Sequence, residues 1–459
     1  MLTVLVTGAK GFVGRNLCVS LAQRQDVRLL RYDVDSTPEE LEQALQEAEV
    51  IFHLAGVNRP SNTEEFKTGN ADFTTFLCER LLSLRRTPLV VLSSSVQATL
   101  DNPYGHSKRL AEQAVESYAH SCAALHSVSN PESKIQNPES VFQNSESRIQ
   151  NPELSNSHSP LSSSASPRLC VSNSPFALIY RFPNVFGKGC RPNYNSAVAT
   201  WCHNIARGLP IQVRDPAASI TLVYIDDVVN EFLTVLREVG PECRGQTSAP
   251  PSSVLRLPSS DLSSASSASP RLCVYKDITP TYTRTLGQIT DLIHAFKESR
   301  ATIQVPDQGD EFSKKLYATY LSALPEDQFA YPLKMNTDAR GSFTEFIKTP
   351  ERGQVSVNVS KPGIVKGNHW HHTKVEKFLV VSGKGVIRFR KVVGVTQHED
   401  ASGCGIMEYV VSGEKLEVVD IPPGYTHNIE NVGDTDMVTV MWASEPFDPA
   451  RPDTYFEKV

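Results

Sequence analysis

Tyr104 and Lys108 stand four residues apart in "NPYGHSK", which places both side chains on one face if the segment is helical. A lysine ammonium beside a phenol favours the phenolate, so Tyr104 can exchange a proton with a carbonyl or hydroxyl near neutral pH. Just ahead, "LSSS" ends an apolar strand, and a serine there can hydrogen-bond the same oxygen. Ser95 is favoured, with Ser94 as the alternative. A second constellation lies far along the chain, in "GNHWHHTKVEKFLVVSGKG". On a strand, residues i and i+2 share a face, so His369 and His371 point the same way and His372 points the other. Glu376 returns from the following segment, and His427 in "IPPGYTHNIEN" supplies a fourth ligand from a paired strand. Three imidazoles and a carboxylate suit zinc, iron, nickel or manganese, and ligand type does not choose among them. The plain alternative is a polar pocket without metal.

These groups need scaffolds, and the sequence offers two. "VLVTGAKGFVG" places Gly8, Gly11 and Gly14 between a strand and the helical "RNLCVSLAQR", with Phe12 and Val13 opening that helix. Glycines there let a pyrophosphate approach the backbone and sit on the helix N-terminus, the signature of a dinucleotide site. The second strand ends in "RYDVD". Asp33 can accept from a ribose 2′-hydroxyl, favouring NAD, whereas Arg31 can face a 2′-phosphate, favouring NADP. Strands are expected at Thr3–Thr7, Val27–Tyr32, Val50–Leu54, Leu89–Ser93 and Ala177–Phe182, alternating with amphipathic helices in a parallel α/β sheet. Beyond about residue 325 short Gly- and Pro-punctuated strands predict a small antiparallel barrel or sandwich. A helix over Phe312–Leu324 is expected to join the halves. The division is therefore 1–310, a linker at 311–330, and 331–459.

Two stretches break this texture, at about 123–175 and 244–274. Both are rich in Ser, Asn, Pro or Gln, and both end in the same nonamer "SSASPRLCV". Such composition buries too little apolar surface to offset ordering entropy, which predicts flexible surface loops.

The remaining composition narrows the class. The 459 residues carry a net charge of −6, which gives no footprint for nucleic acid or an anionic membrane. No apolar run approaches a ~20-residue membrane span. The first residues lead into a strand without a basic n-region, which predicts a cytoplasmic protein. Nine scattered cysteines without a C-x-x-C pair predict reduced thiols.

The glycine turn, the Tyr104/Lys108 pair and the serine resemble the extended short-chain dehydrogenase/reductase family of nucleotide-sugar enzymes. "HLAG" (His53–Gly56), "YRFPNVFG" (Tyr180–Gly187) and "LVYIDDVV" (Leu222–Val229) follow in the family's order. The resemblance implies that Leu54, Ala55 and Gly56 line the cofactor, and that Asn58, Arg181 and Asn184 approach the sugar nucleotide. From Gly363 the spacing G-x5-H-x-H-x4-E-x6-G resembles the cupin superfamily, a β-barrel whose mouth often holds a divalent metal. The pairing of the two is similar to the bifunctional capsule-synthesis enzymes that fuse such a reductase to a cupin. That resemblance implies a homodimer with zinc in the cupin domain. It implies C3 epimerisation of a UDP-2-acetamido-2,6-dideoxy-4-hexulose, then C4 reduction with NADPH. For the epimerase base only Lys384, Tyr425 and His372 suggest themselves, as flanks of the expected barrel mouth. The alternatives are an NAD-retaining epimerase or dehydratase with a non-catalytic cupin module, and a scaffold whose Ser/Asn-rich loops recruit partners. The intact Tyr/Lys/Ser set counts against the scaffold.

Overall fold

The computed structural model describes residues 1–60, 62–128, 175–194, 196–239, 272–392 and 405–459. The chain forms two compact units, one of Met1–Val185 with Thr221–Thr281, the other of Phe186–Ile220 with Tyr282–Val459.

The first unit is built on six parallel strands. Their spatial order is Val27–Tyr32, Leu2–Thr7, Val50–His53, Leu89–Ser95, Ala177–Phe182 and Cys273–Lys276. Helices cover both faces, so the strands read as unbroken apolar runs. Val4, Val6, Val50 and Phe52 join a cluster with Leu17 and Leu21 of the Phe12–Ala22 helix and Phe232 of Ile225–Val239. Leu5, Ile51 and Val90 point the opposite way, toward Val115 and Tyr118 of the Pro103–Val128 helix. From Leu2–Thr7 the sheet runs to Val27–Tyr32 on one side and to Val50–His53 on the other. A crevice opens beyond the carboxyl ends of strands at such a switch point, and there the glycine turn and the residues after His53 meet.

The strand expectations hold to within two residues. Most of the two compositionally biased stretches lies outside the described residues, with Cys170, Cys243 and Cys404, but their inner limits need correcting. The Pro103–Val128 helix continues past residue 123, and Cys273 and Val274 of the second nonamer open a strand that pairs with Ala177 and Leu178. That pairing completes a ladder, which local composition could not reveal. Cys18, Cys78, Cys122 and Cys202 are buried free thiols. Among the described residues no helix is long and apolar enough to cross a membrane.

In the second unit the expected joining helix spans Glu311–Ser322, with the Asp310 side chain capping Ser313 N–H. Its buried Leu316 and Tyr320 face the Ala197–Ala206 and Leu286–Thr302 helices, so it is a packed element. The β-rich part comprises two antiparallel sheets. One contains the strands Gly341–Thr349, Gly353–Ser360, Met437–Ala443 and Glu376–Ser382; the other contains Lys384–Lys391, Tyr425–Asn431 and Val365–Trp370. Phe378, Val380 and Met437 of the first close on Ile387, Phe389 and Ile429 of the second.

The two candidate functional sites

In the first unit, Gly8 takes φ +67°, and a Cβ there would lie 2.7 Å from Ala55 backbone atoms. A Cβ on Gly14 would meet the Gly8 carbonyl oxygen at 2.0 Å, and one on Gly11 would meet it at 3.1 Å. Only glycine allows this turn to fold against Leu54 and Ala55, and Phe12 and Val13 begin the helix whose N-terminus faces the turn. Asp33 accepts from the Lys10 amide at 2.6 Å and from the Val34 amide at 2.9 Å, so it pins the turn to the second strand. A carboxylate so held keeps lone pairs for a ribose hydroxyl. Arg31 lies beside Cys18, where its charge opposes the upward push of burial on that thiol.

Tyr104 lies in the first turn of its helix, with Lys108 Nζ 5.9 Å from its ring centroid. Ser95 Oγ accepts from the Gln97 amide at 3.2 Å and sits where it opposes a rise in the Tyr104 pKa. Ser94 instead donates to the buried Glu112 at 2.6 Å, which separates the two serine candidates. Burial raises the Tyr104 hydroxyl pKa and outweighs the opposing effect of Ser95. The expected drive toward phenolate is therefore absent in the protein alone. Lys108 is itself pushed down to about 8 by burial, against the pull of Glu112, and its Nζ donates to the Ser93 carbonyl at 3.3 Å. His53 is buried between the Thr7 and Thr74 hydroxyls and is neutral, its pKa driven down to about 3 by burial and by Lys108.

Asn58, Gly56 and Asn184 are exposed. Arg181 has a partner that the sequence did not foretell: its guanidinium forks onto Glu112 at 2.8 and 2.6 Å and stacks 4.7 Å from the Tyr275 ring. Sequence reasoning missed Glu112, although it lies four residues after Lys108 on the same helix face. It also missed Asn70, whose side chain clamps both backbone groups of Val57 at 3.0 Å and donates to Ser107 at 3.1 Å.

In the second unit the four expected ligands converge. One ligand atom from each of His369, His371, Glu376 and His427 lies within 4.8 Å of all the others. His369 pairs with His427 across neighbouring strands, where a bulge follows Gly367 and Asn368 adopts φ +58°. The bulge re-aims the chain so that His369 and His371 both turn inward. His371 and His427 are 1% exposed, and each Nε2 lies 3.4 Å from Glu376 Oε2. These three buried atoms have no hydrogen-bond partner, which a shared cation would satisfy. Burial pushes the Glu376 carboxyl up, yet the two imidazoles beside it hold it well below the usual carboxylate range. Burial, helped by His427, lowers His369 to about 4. His369 thus offers a neutral imidazole and Glu376 an ionised carboxylate, the forms in which such groups bind a divalent metal.

His372 is exposed, packed edge-on against Trp370 and Tyr455. Lys384 begins its strand at a turn and reaches Glu414 at 3.7 Å, whereas His427 pairs with Phe389 five residues further on. At ~3.3 Å per residue Lys384 is too distant to act as a base at the cluster. Tyr425, two residues before His427 on its face, lines a cavity of about 320 Å³ with Phe389, Tyr409 and Pro422. The wall between the sheets carries a further surprise. In "QVSVNVS" the polar Gln354, Ser356 and Asn358 are buried, while the valines between them are less so. Lys366 Nζ reaches Asn358 Oδ1 at 2.7 Å and the Val359 carbonyl at 2.9 Å.

Both ends of the chain match known protein families. The NAD dependent epimerase/dehydratase family matches residues 4–143, and the Polysaccharide biosynthesis C-terminal domain matches residues 336–455. The chain is 38% identical, over 98% of its length and 97% of the relative's, to UDP-2-acetamido-2,6-beta-L-arabino-hexul-4-ose reductase of Pseudomonas aeruginosa. The crystal structure of the capsular polysaccharide assembling protein CapF from Staphylococcus aureus aligns at a TM-score of 0.73 with 44% identity, covering 99% of this chain and 100% of that one. A CapF structure with the inhibitor 3-isopropenyl-tropolone aligns at 0.70 with 40% identity, covering 100% of both chains. The chain belongs to the family of these two-part polysaccharide-synthesis proteins, with an NAD-dependent epimerase-type α/β domain ahead of an antiparallel β domain.

Proposed function

We propose that the chain is a bifunctional enzyme acting on a UDP-activated deoxy-amino sugar. The cupin domain, residues 331–459, epimerises C3 of a UDP-2-acetamido-2,6-dideoxy-4-hexulose. The reductase domain, residues 1–310, then reduces C4 to give UDP-2-acetamido-2,6-dideoxy-β-L-talose, on the route to UDP-N-acetyl-L-fucosamine and capsular polysaccharide. The relatives support a nucleotide-sugar reductase of NAD(P) type. The observation that carries the second activity is the convergence of His371 Nε2, Glu376 Oε2 and His427 Nε2, buried and unpartnered.

NAD(P)H, when bound, supplies the hydride that adds to C4 of the sugar. Gly8, Gly11 and Gly14 let its pyrophosphate reach the backbone and the helix N-terminus. Tyr104 gives its hydroxyl proton to the oxygen that was the C4 carbonyl as the hydride arrives, and Ser95 orients that hydroxyl. Lys108 keeps a positive charge near the phenol oxygen left behind. Epimerisation removes the C3 proton, made acidic by the adjacent C4 ketone, and returns one to the opposite face. His369, His371, Glu376 and His427 would hold a divalent metal, zinc foremost, which supplies positive charge to the ketone oxygen as its charge develops. The polar wall of Ser356, Asn358 and Lys366 suits a hydroxyl-rich ligand. A homodimer in the cytoplasm is part of this reading.

Incubating the protein with the 4-keto sugar nucleotide and NADPH in D2O tests it. Deuterium at C3 with NADPH consumption is the expected result. Consumption without exchange would reduce the cupin to a non-catalytic module, and no consumption would end the reductase assignment.

A further inference from the structure

Residues 453–459 touch the surroundings of every histidine in the metal cluster. The His371 Nδ1 donates to the backbone carbonyl of Asp453. A carbonyl only accepts, so the proton sits on Nδ1 and the bare Nε2 turns to the cluster. The Asp453 carboxylate accepts from the amides of His372, Thr373 and Lys374 at 2.8, 2.8 and 2.9 Å, and from the Thr373 hydroxyl at 3.0 Å. Those amides form the turn between His371 and Glu376, so one side chain sets the path linking two ligands. Further on, Tyr455 and Phe456 pair with Trp370 and His369. The Glu457 amide donates to the Asn368 carbonyl at 3.0 Å, and the Thr426 hydroxyl donates to the Glu457 carbonyl. The strap thus grips the chain at 368–374 and beside His427.

We propose that residues 453–459 are the positioning shell of the metal site, with Asp453 fixing the His371 tautomer through its carbonyl and the ligand turn through its carboxylate. The proposal rests on the metal reading above. Partners one step behind the ligands orient them and raise their affinity, and losing such a partner typically costs 10–100-fold in metal binding. Nothing in the spacing of the ligands announces this segment, which lies about eighty residues beyond His371.

Chelator-stripped protein titrated with Co2+, whose visible spectrum reports ligand geometry, and with Zn2+ in competition, provides the test. Wild-type protein binds one equivalent; no uptake would end the metal reading and this proposal together. Given wild-type uptake, Asp453→Ala weakens both metals by about 10–100-fold and alters the Co2+ spectrum. Asp453→Asn, which keeps one acceptor oxygen, falls between. Thr426→Val, which cuts the other tie, weakens binding in the same direction. Wild-type affinity and spectrum in Asp453→Asn and Thr426→Val alike overturn the proposal and leave the metal reading standing, whatever the thermal stability of the metal-free variants.

Discussion

Glu112 holds Arg181 through both ends of the guanidinium, at 2.8 and 2.6 Å, with only 2% of the carboxylate side chain exposed. The pair ties the helix carrying Tyr104 and Lys108 to the strand Ala177–Phe182. Removing one partner of a buried pair leaves an uncompensated charge. Arg181→Ala should lower unfolding stability by about 3 kcal/mol in urea titrations, the low end for such pairs because Arg181 is partly exposed. If Arg181 served the substrate instead, KM would rise with stability unchanged.

Tyr104→Phe removes the proton donor but leaves the ring, which packs 5.6 Å from Phe66. The turnover number for reduction should fall by about 10²–10⁴. Exchange at C3 in D2O should persist, because His369, His371, Glu376 and His427 belong to the other unit. Loss of both activities would contradict independent sites. Ser95→Ala should also slow reduction, whereas Ser94→Ala should act on stability by stripping a donor from Glu112.

Gly14→Ala places a methyl where the Gly8 carbonyl already lies, at 2.0 Å, while Gly11→Ala meets the same atom at 3.1 Å. Fluorescence titration with NADPH should show binding abolished in the first and only weakened in the second. Metal content should be normal in both. Equal effects would mean that backbone approach does not govern the site.

Lys108 gives the reductase half a pH signature. Its folded pKa, about 8, lies below the ordinary 10.5, and burial is the main cause. The cost of burying the charge is present in full below pH 8 and is relieved as the lysine deprotonates. Between those values the unfolded chain binds more protons, so stability should rise with pH across that window. The catalytic trend is the reverse: kcat/KM for reduction should fall as pH climbs past about 8, since Tyr104 then loses its cationic neighbour. Lys108→Met should be slow and flat in pH for both measurements. A Lys108→Met protein with the wild-type stability slope would place the titration elsewhere.

Much of both sites could be read from the chain, for different physical reasons. The glycine turn and the four metal-ligand candidates depend on local geometry, glycine conformations and strand periodicity, which spacing reports directly. The Arg181–Glu112 pair was not legible because its members lie 69 residues apart and only the fold brings them together. Tyr104 differs from expectation because burial, invisible in a four-residue spacing, outweighs its neighbours. Lys384 stands in the sequence as a flank of the expected barrel mouth, but pairing sets it five residues along its strand from Phe389, the residue opposite His427. The buried polar side chains of Gly353–Ser360 invert the usual inward valines, and an alternating pattern alone cannot say which face is inside.

The ligand cluster draws Glu376 from one sheet and His427 and His369 from the other. An ion held there is therefore a clasp across the domain, and its affinity becomes a gauge of the gap between the sheets. Anything that wedges or draws together those sheets must change metal affinity, and the metal must change that ligand's affinity by the same factor. A sugar nucleotide that shifts that gap would then regulate the metal's occupancy, and the metal the sugar's.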